Sequence, residues 1–219
     1  ADRLGVVDER GRVSAADRIL TLLGLDLLQR RPGARVLADV SCSQVFLDAL
    51  RRAGGEPALC ATGHALVKAR LLADNALLGG EISGHFFFAD DYYGFDDAFH
   101  AAGRLLQLLA AANSPLSALD DALPRLVASP LYRPHCPPET GRALLAALAA
   151  RLAGEGELLR IDGLRLQLAD AWGLVRMSNT EPVLSLRFEG HSQAAMEACR
   201  ARFEYVLRDL AQLELREPR

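Results

Sequence analysis

Four cysteines are all that these 219 residues carry, and Cys42, Cys60, Cys136 and Cys199 stand too far apart for any C-x-x-C clip. That spacing excludes the common zinc modules and offers no disulfide framework, so reduced thiols packed into a core are the expectation. No apolar run reaches the ~18–20 residues a membrane-spanning helix requires. The Leu- and Ala-rich stretches are interrupted by Arg, Asp or Gln at helical spacing. The opening Ala1-Asp2-Arg3 has neither the basic start nor the apolar run of a signal peptide, and it is not a methionine. Positive charge is not in excess either. A formal charge of −3 argues against a nucleic-acid surface, and the arginines alternate with Asp and Glu as solvated pairs do. These gaps predict a cytoplasmic protein with neither nucleic acid nor membrane as a partner.

The length suits one large domain or two ordinary ones, and a core of that size needs no disulfide staples. The first half alternates strand and helix signals. Leu4–Val7 reads as a strand, and its start almost at the first residue leads us to expect natural chain upstream. Ala15 to Gln29 places Ile19, Leu22, Leu23, Leu27 and Leu28 at helical spacing, and Pro32-Gly33 stops it. Strands are expected over residues 36–40, 57–60 and 76–78, with helices over 44–52, 64–72 and 95–112. Repeated β-α units of this kind imply a mixed, mainly parallel α/β sheet covered by helices.

The rhythm then changes. Six of the ten prolines fall between Asn113 and Pro138, which marks a connecting region. Beyond it a helix, three or four consecutive strands and a final helix predict a smaller α+β domain with an antiparallel sheet. The expected division is 1–8 as the end of a preceding domain, 9–113, a connection at 114–137, and 138–219.

Three polar clusters could carry chemistry. Gly79-Gly80-Glu81-Ile82-Ser83-Gly84-His85 follows a predicted strand, where open α/β sheets gather ligands. Its carboxylate, hydroxyl and imidazole can bond neighbouring sugar hydroxyls, and its glycines let backbone approach a ligand closely. Arg176-Met177-Ser178-Asn179-Thr180-Glu181-Pro182 joins two predicted strands and presents a cationic fork, hydroxyls, an amide and backbone N–H groups, a set that fits a phosphate dianion. Asp2-Arg3 offers one hard oxygen ligand of the kind Mg²⁺ prefers, and one carboxylate makes no site. Each cluster also has a plain reading, as a turn or hairpin facing water.

In this order and spacing the three resemble the α-D-phosphohexomutases, specifically the phosphomannomutase/phosphoglucomutase branch. Asp2-Arg3-Leu4-Gly5-Val6-Val7 is similar to the end of that family's metal loop, residues 80–85 to its sugar-binding loop, and residues 176–182 to its phosphate-binding loop. Thr62-Gly63-His64 and Tyr93-Gly94-Phe95-Asp96-Asp97 also resemble family segments. The resemblance implies four domains in the whole enzyme, with one loop from each entering a cleft. Asp2 would be the last of three aspartates holding Mg²⁺, and Arg3 would face the reacting phosphate. Glu81 and Ser83 would grip two sugar hydroxyls, with His85 near the reacting end and His64 as another cleft residue. Either histidine could donate or shuttle a proton. Arg176, Ser178, Asn179 and Thr180 would hold the phosphate that is not reacting.

The implied reaction interconverts hexose 1-phosphate and 6-phosphate, of mannose or glucose, through a phosphoserine and a hexose 1,6-bisphosphate. The serine, two metal aspartates and the rest of the N-terminal half are not in this chain, so the fragment alone is expected to be inactive. One departure stands out. Relatives carry Asp-Val-Lys-Cys-Ser/Thr-Arg where this chain has Asp39-Val40-Ser41-Cys42-Ser43-Gln44, without the two cations. A non-catalytic sugar-phosphate binding or regulatory homologue is the rival reading.

Overall fold

The computed structural model describes residues 1–213 and 215, which divide into two compact units, Ala1–Pro124 and Arg125 onward. The first unit opens with a hairpin, β1 (Val6–Val7) against β2 (Val13–Ser14). Asp8 shapes its turn. The Asp8 Oδ1 atom accepts from the amides of Arg10 at 2.9 Å and Arg12 at 2.8 Å, a short polar side chain replacing a backbone acceptor.

Helix α1 (Ala16–Arg30) follows, and then the strands β3 (Arg35–Asp39), β4 (Glu56–Cys60), β5 (Leu78–Gly80) and β6 (Phe86–Phe88). Their order is β4-β3-β5-β6, with β3 parallel to β4 and β5 and β6 antiparallel to β5. The sheet is mainly parallel and mixed, as the β-α rhythm implies. The edge strand β6 is the addition. Phe86, Phe87 and Phe88 are all buried, so the run carries no alternation of apolar and polar residues to announce a strand.

Helix α2 (Gln44–Arg52) starts at Ser43, whose hydroxyl accepts from the Val45 amide at 3.1 Å, and ends on Arg51 and Arg52. Both ends thus suit the helix dipole and its unpaired amides. Helix α3 (His64–Ala73) buries Val67 and Leu71 in a small core with Leu37, Cys60, Ala76 and Phe87. Helix α4 (Ala98–Ala112) begins three residues later than the expected Phe95. The Asp97 carboxylate accepts from the amides of Phe99 and His100, at 2.8 and 3.1 Å, and so sets the start. Helix α5 (Leu116–Ala122) closes the unit.

Two glycines expected to let a ligand near do something else. Gly79 and Gly80 lie inside β5, and a Cβ on Gly80 would fall 2.8 Å from Leu20 while one on Gly79 would meet Val67 and Leu71 at 3.2 Å. They let α1 and α3 close on opposite faces of the sheet.

The second unit comprises β7 (Val127–Ala128), α6 (Pro138–Arg151), β8 (Glu157–Leu159), β9 (Leu164–Gln167), β10 (Ala171–Met177), β11 (Leu184–Gly190) and α7 (Gln193–Ala211). Its sheet runs β7-β11-β10-β9-β8, antiparallel throughout. Leu144 and Leu148 of α6 and Phe203 and Val206 of α7 pack with Leu166, Val175, Leu186 and Phe188 of the strands into one core. The proline-rich stretch contributes here too, since Tyr132 and His135 bridge to Leu186 and Val183. All four cysteines are free and buried. No helix among the described residues is long and apolar enough to cross a membrane.

Candidate functional site

In the first unit the 80–85 turn leaves the carboxyl end of β5, the position where α/β sheets hold ligands. It is closed by Glu81 N donating to His85 O at 2.9 Å and Gly84 N donating to Glu81 O at 3.0 Å. Gly84 has φ +93°, and a Cβ there would sit 3.0 Å from Leu4 O. The Leu4 amide in turn donates to Gly84 O at 3.0 Å. Segment 2–5 is therefore seated directly on the turn, and only glycine meets both demands.

The Glu81 side chain is 4% exposed. Its Oε1 accepts from the Gly63 amide at 2.6 Å and its Oε2 from the Ser83 hydroxyl at 2.9 Å. Glu81 and Ser83, expected to act together, are thus bonded to each other, and Gly63 at the start of α3 fixes the pair from outside. Ser83 is exposed.

Below the turn lies Asp39, fully buried at the end of β3. Its Oδ1 accepts from Ser41 N at 2.6 Å and its Oδ2 from Ile82 N at 3.0 Å, so one carboxylate ties two loops together. Burial pushes its pKa up to about 6, the two amide bonds oppose that, and the nearby Glu81 charge adds to it. No basic side chain forms an ion pair with Asp39 or Glu81 among the described residues. Gln44 donates to Asp48 within its own helix at 2.8 Å.

His85 is 5% exposed. Arg3 Nε donates to its Nε2 at 2.9 Å, and its Nδ1 lies 2.9 Å from Asp96 Oδ2. The second contact is at ion-pair distance but off the ring N–H direction, and Nδ1 has no other partner. The exposed His64 ring lies 6.3 Å from that of His85, inclined by 27°. Asp2, Arg3, His64, Glu81, Ser83 and His85 thus fall in one neighbourhood of this unit.

Asp2, His85 and Asp96 bring one ligand atom each within 4.8 Å of one another. Mg²⁺ takes near-octahedral oxygen ligands. Two carboxylates and an imidazole do not complete such a set, so Asp2 fits as one ligand of a hard cation and no more.

In the second unit, residues 178–183 link β10 to β11. Ser178 N donates to Val183 O at 2.9 Å, and the Ser178 hydroxyl accepts from the amides of Thr180 and Glu181 at 3.4 and 3.3 Å. Asn179 and Thr180 are exposed. Arg176 is 8% exposed and donates from Nε to Asp162 Oδ2 at 2.7 Å. The turn at Gly163, φ +77°, packs against it, where a Cβ would fall 2.2 Å from Val175 O. Arg176, Ser178, Asn179 and Thr180 belong to one strand end and its loop, a short array of amides, hydroxyls and one guanidinium able to receive an anion.

Three residues of consequence were not singled out in the sequence. Asp39 and Asp96 stood inside quoted segments, and Gly63 beside His64. Their partners lie 43, 11 and 18 positions away, in the order Asp39–Ile82, Asp96–His85 and Gly63–Glu81. A buried-looking Asp at a strand end is the one available signal.

Residues 15–126 match the model of the phosphoglucomutase/phosphomannomutase alpha/beta/alpha domain III, and residues 135–205 match that of the phosphoglucomutase/phosphomannomutase C-terminal domain. The chain belongs to the phosphoglucomutase/phosphomannomutase family. It is 41% identical over 210 residues to a phosphoglucomutase of Neisseria gonorrhoeae, covering 94% of this chain and 45% of that protein. It is 38% identical to a phosphomannomutase/phosphoglucomutase of Pseudomonas syringae pv. tomato, covering 96% and 45%. The crystal structure of a phosphoglucomutase/phosphomannomutase family protein from Burkholderia thailandensis superposes with a TM-score of 0.88 at 42% identity, over 95% of this chain and 44% of that one. The chain spans about 45% of the length of these curated relatives.

Proposed function

We propose that this chain is the sugar- and phosphate-holding half of a phosphohexomutase that interconverts the 1- and 6-phosphates of mannose or glucose. The observation that carries this reading is the Glu81–Ser83 pair, in which the buried Glu81 carboxylate accepts from Gly63 N and from the exposed Ser83 hydroxyl while Asp39 holds the amide of Ile82 between them. Fixed acceptors and donors of that kind distinguish the orientation of ring hydroxyls. Arg176, Ser178, Asn179 and Thr180 take the phosphate that is not reacting, and Arg3 takes the one that is. His85 and His64 serve at the reacting end. Asp2 supplies one oxygen to Mg²⁺, which when bound neutralises charge on the phosphoryl group in transfer.

The reaction balances as two transfers. A phosphoserine gives its phosphoryl group to the free hydroxyl of a hexose monophosphate, whose proton leaves to a base. The resulting 1,6-bisphosphate then returns the other phosphoryl group to the serine, whose hydroxyl gives up its proton while the sugar oxygen left behind gains one. Positioning and charge stabilisation supply most of the rate. Four buried, reduced thiols support a cytoplasmic setting.

The test is conversion of glucose 1-phosphate to glucose 6-phosphate by the whole protein and by these residues alone. We expect turnover only from the whole protein, and at least a hundredfold loss in its Glu81→Ala variant. Turnover by the 219 residues alone, or an unimpaired Glu81→Ala, contradicts the reading. A second reading, a sugar-phosphate binder without turnover, is favoured by Ser41 and Gln44, which leave the buried Asp39 and Glu81 without an ion-pair partner there. It predicts binding and no conversion by the whole protein.

A further inference from the structure

Arg3 and His85 define a tautomer. A guanidinium has only donors, so an Arg3 Nε–H bond of 2.9 Å to His85 Nε2 requires a bare lone pair on Nε2. The single proton of the neutral ring then sits on Nδ1. That nitrogen is buried, and among the described residues the acceptor within reach is Asp96 Oδ2 at 2.9 Å. A bare Nδ1 would instead bring two acceptors within 2.9 Å of each other, with the ring proton set against the Arg3 donor. Both contacts select the same form.

Asp96 is placed for this by backbone rather than by chance packing. It forms an antiparallel bridge with Phe87, two residues along β6 from His85, so its carboxylate is delivered beside the imidazole. The ring is buried, with those of His64 and Phe87 6.3 and 6.4 Å away between centroids. At the other end of the relay, Arg3 is exposed, and its Nε bond to His85 is its only side-chain partner among the described residues. Both Nη groups remain to face an anion.

We propose that Asp96 is a positioning residue. It locks His85 with the proton on Nδ1, and through Nε2 it aims the Arg3 guanidinium. The proposal rests on the reading of segment 2–5 and the 80–85 turn as parts of a sugar-phosphate site. It also has a consequence for the chemistry, because Nε2 cannot take a substrate proton while it holds Arg3. A base role for His85 requires Arg3 to let go first, for example on engaging a phosphate.

The rival for the same atoms is a transition-metal site made of Asp2, His85 Nδ1 and Asp96. It demands a bare Nδ1 and therefore an Nε2 proton, the opposite tautomer.

Side-chain nitrogen NMR on the histidine- and arginine-labelled chain at about pH 8, above the ordinary histidine range, distinguishes the two. We expect His85 protonated at Nδ1 and bare at Nε2, with a slowly exchanging Arg3 Hε. Asp96→Ala should shift the tautomer ratio by about tenfold, as loss of a carboxylate charge beside the Nδ1 proton does, and expose Arg3 Hε to exchange. Asp96→Asn, which keeps an oxygen dipole without the charge, should give a ratio between those of wild type and Asp96→Ala. A wild-type ring protonated at Nε2, or an Asp96→Ala ratio equal to wild type, overturns the proposal. So does Zn²⁺ bound at micromolar concentration with loss of the Nδ1 proton. The wild-type measurement decides even if Asp96→Ala fails to fold. Addition of glucose 1-phosphate then tests the underlying reading separately. If it leaves Ile82 to His85 unmoved while the tautomer is as stated, the sugar-phosphate reading fails and the positioning role stands.

Discussion

The 80–85 turn and the 178–183 loop are both serine-bearing connections between antiparallel neighbours, yet their outside anchors fall at different places. The first is anchored from outside itself, by Gly63 N on Glu81, by Asp39 on Ile82 and by Leu4 N on Gly84 O. The second is tied from outside at its far end, by Arg133 on Glu181 and Cys136 N on Pro182 O, while Ser178 bonds within the loop, from its N to Val183 O and through its hydroxyl to the amides of Thr180 and Glu181. Distinguishing one hydroxyl orientation from another depends on donors and acceptors fixed to fractions of an ångström. A dianion is attracted from any side, and amides with a nearby guanidinium catch it without such rigidity. The difference in scaffolding is what the proposed division of labour requires.

That contrast can be broken by substitution. The largest effect is expected from Gly163→Ala. The new Cβ would fall 2.2 Å from Val175 O and 2.6 Å from Arg176 Cα at φ +77°. The second unit should lose roughly 3 kcal/mol in denaturant unfolding. A loss under ~0.5 kcal/mol would show that the strand beneath the 178–183 loop yields easily.

Next comes the buried tie of the anchored turn. Asp39 has a folded pKa of about 6 against 3.8 for the free group. Below 3.8 the residue is neutral folded and unfolded. As pH rises through about 6 the unfolded chain ionises first, so the stability present at low pH is lost, to a total of roughly 3 kcal/mol. Asp39→Asn cannot ionise. The difference between wild type and variant in urea unfolding should therefore move in the variant's favour between those pH values, and parallel curves would show that Asp39 does not titrate there.

Gly84→Ala forces a Cβ to 3.0 Å from Leu4 O at φ +93°. It should cost about 2 kcal/mol and release segment 2–5, read as faster amide exchange at Leu4. Unchanged Leu4 protection would mean that the anchor is not the bond to Gly84. The smallest effect belongs to Ser178→Ala. Among the described residues its hydroxyl bonds within its own loop, so stability should fall by about 0.5–1 kcal/mol while affinity for inorganic phosphate drops about fivefold.

Legibility followed the same divide. The 178–183 loop was open to reading because its anion-binding residue types stand within a few consecutive positions, and α2 was located at Gln44–Arg52. The 80–85 turn was found as a motif, but its anchors were not. Asp39 and Ile82 are 43 residues apart, and nothing local tells that a strand-end Asp points under a distant turn. Leu20 and Leu71 explain why β5 is glycine-rich, a matter of helix approach that sequence alone gave to the ligand. Helix α4 was overextended because Phe95 and Phe99 share a helical spacing, whereas Asp97 decides the start by capping. Strand β6 escaped because three buried phenylalanines have no period.

Backbone amide NMR of this chain, titrated in turn with inorganic phosphate and glucose 1-phosphate, tests the central division most directly. The account predicts that both ligands shift Ser178, Asn179 and Thr180, while only the sugar phosphate also shifts Ile82, Ser83, Gly84 and His85. Equal response of the 80–85 turn to both ligands, or silence to both, contradicts it.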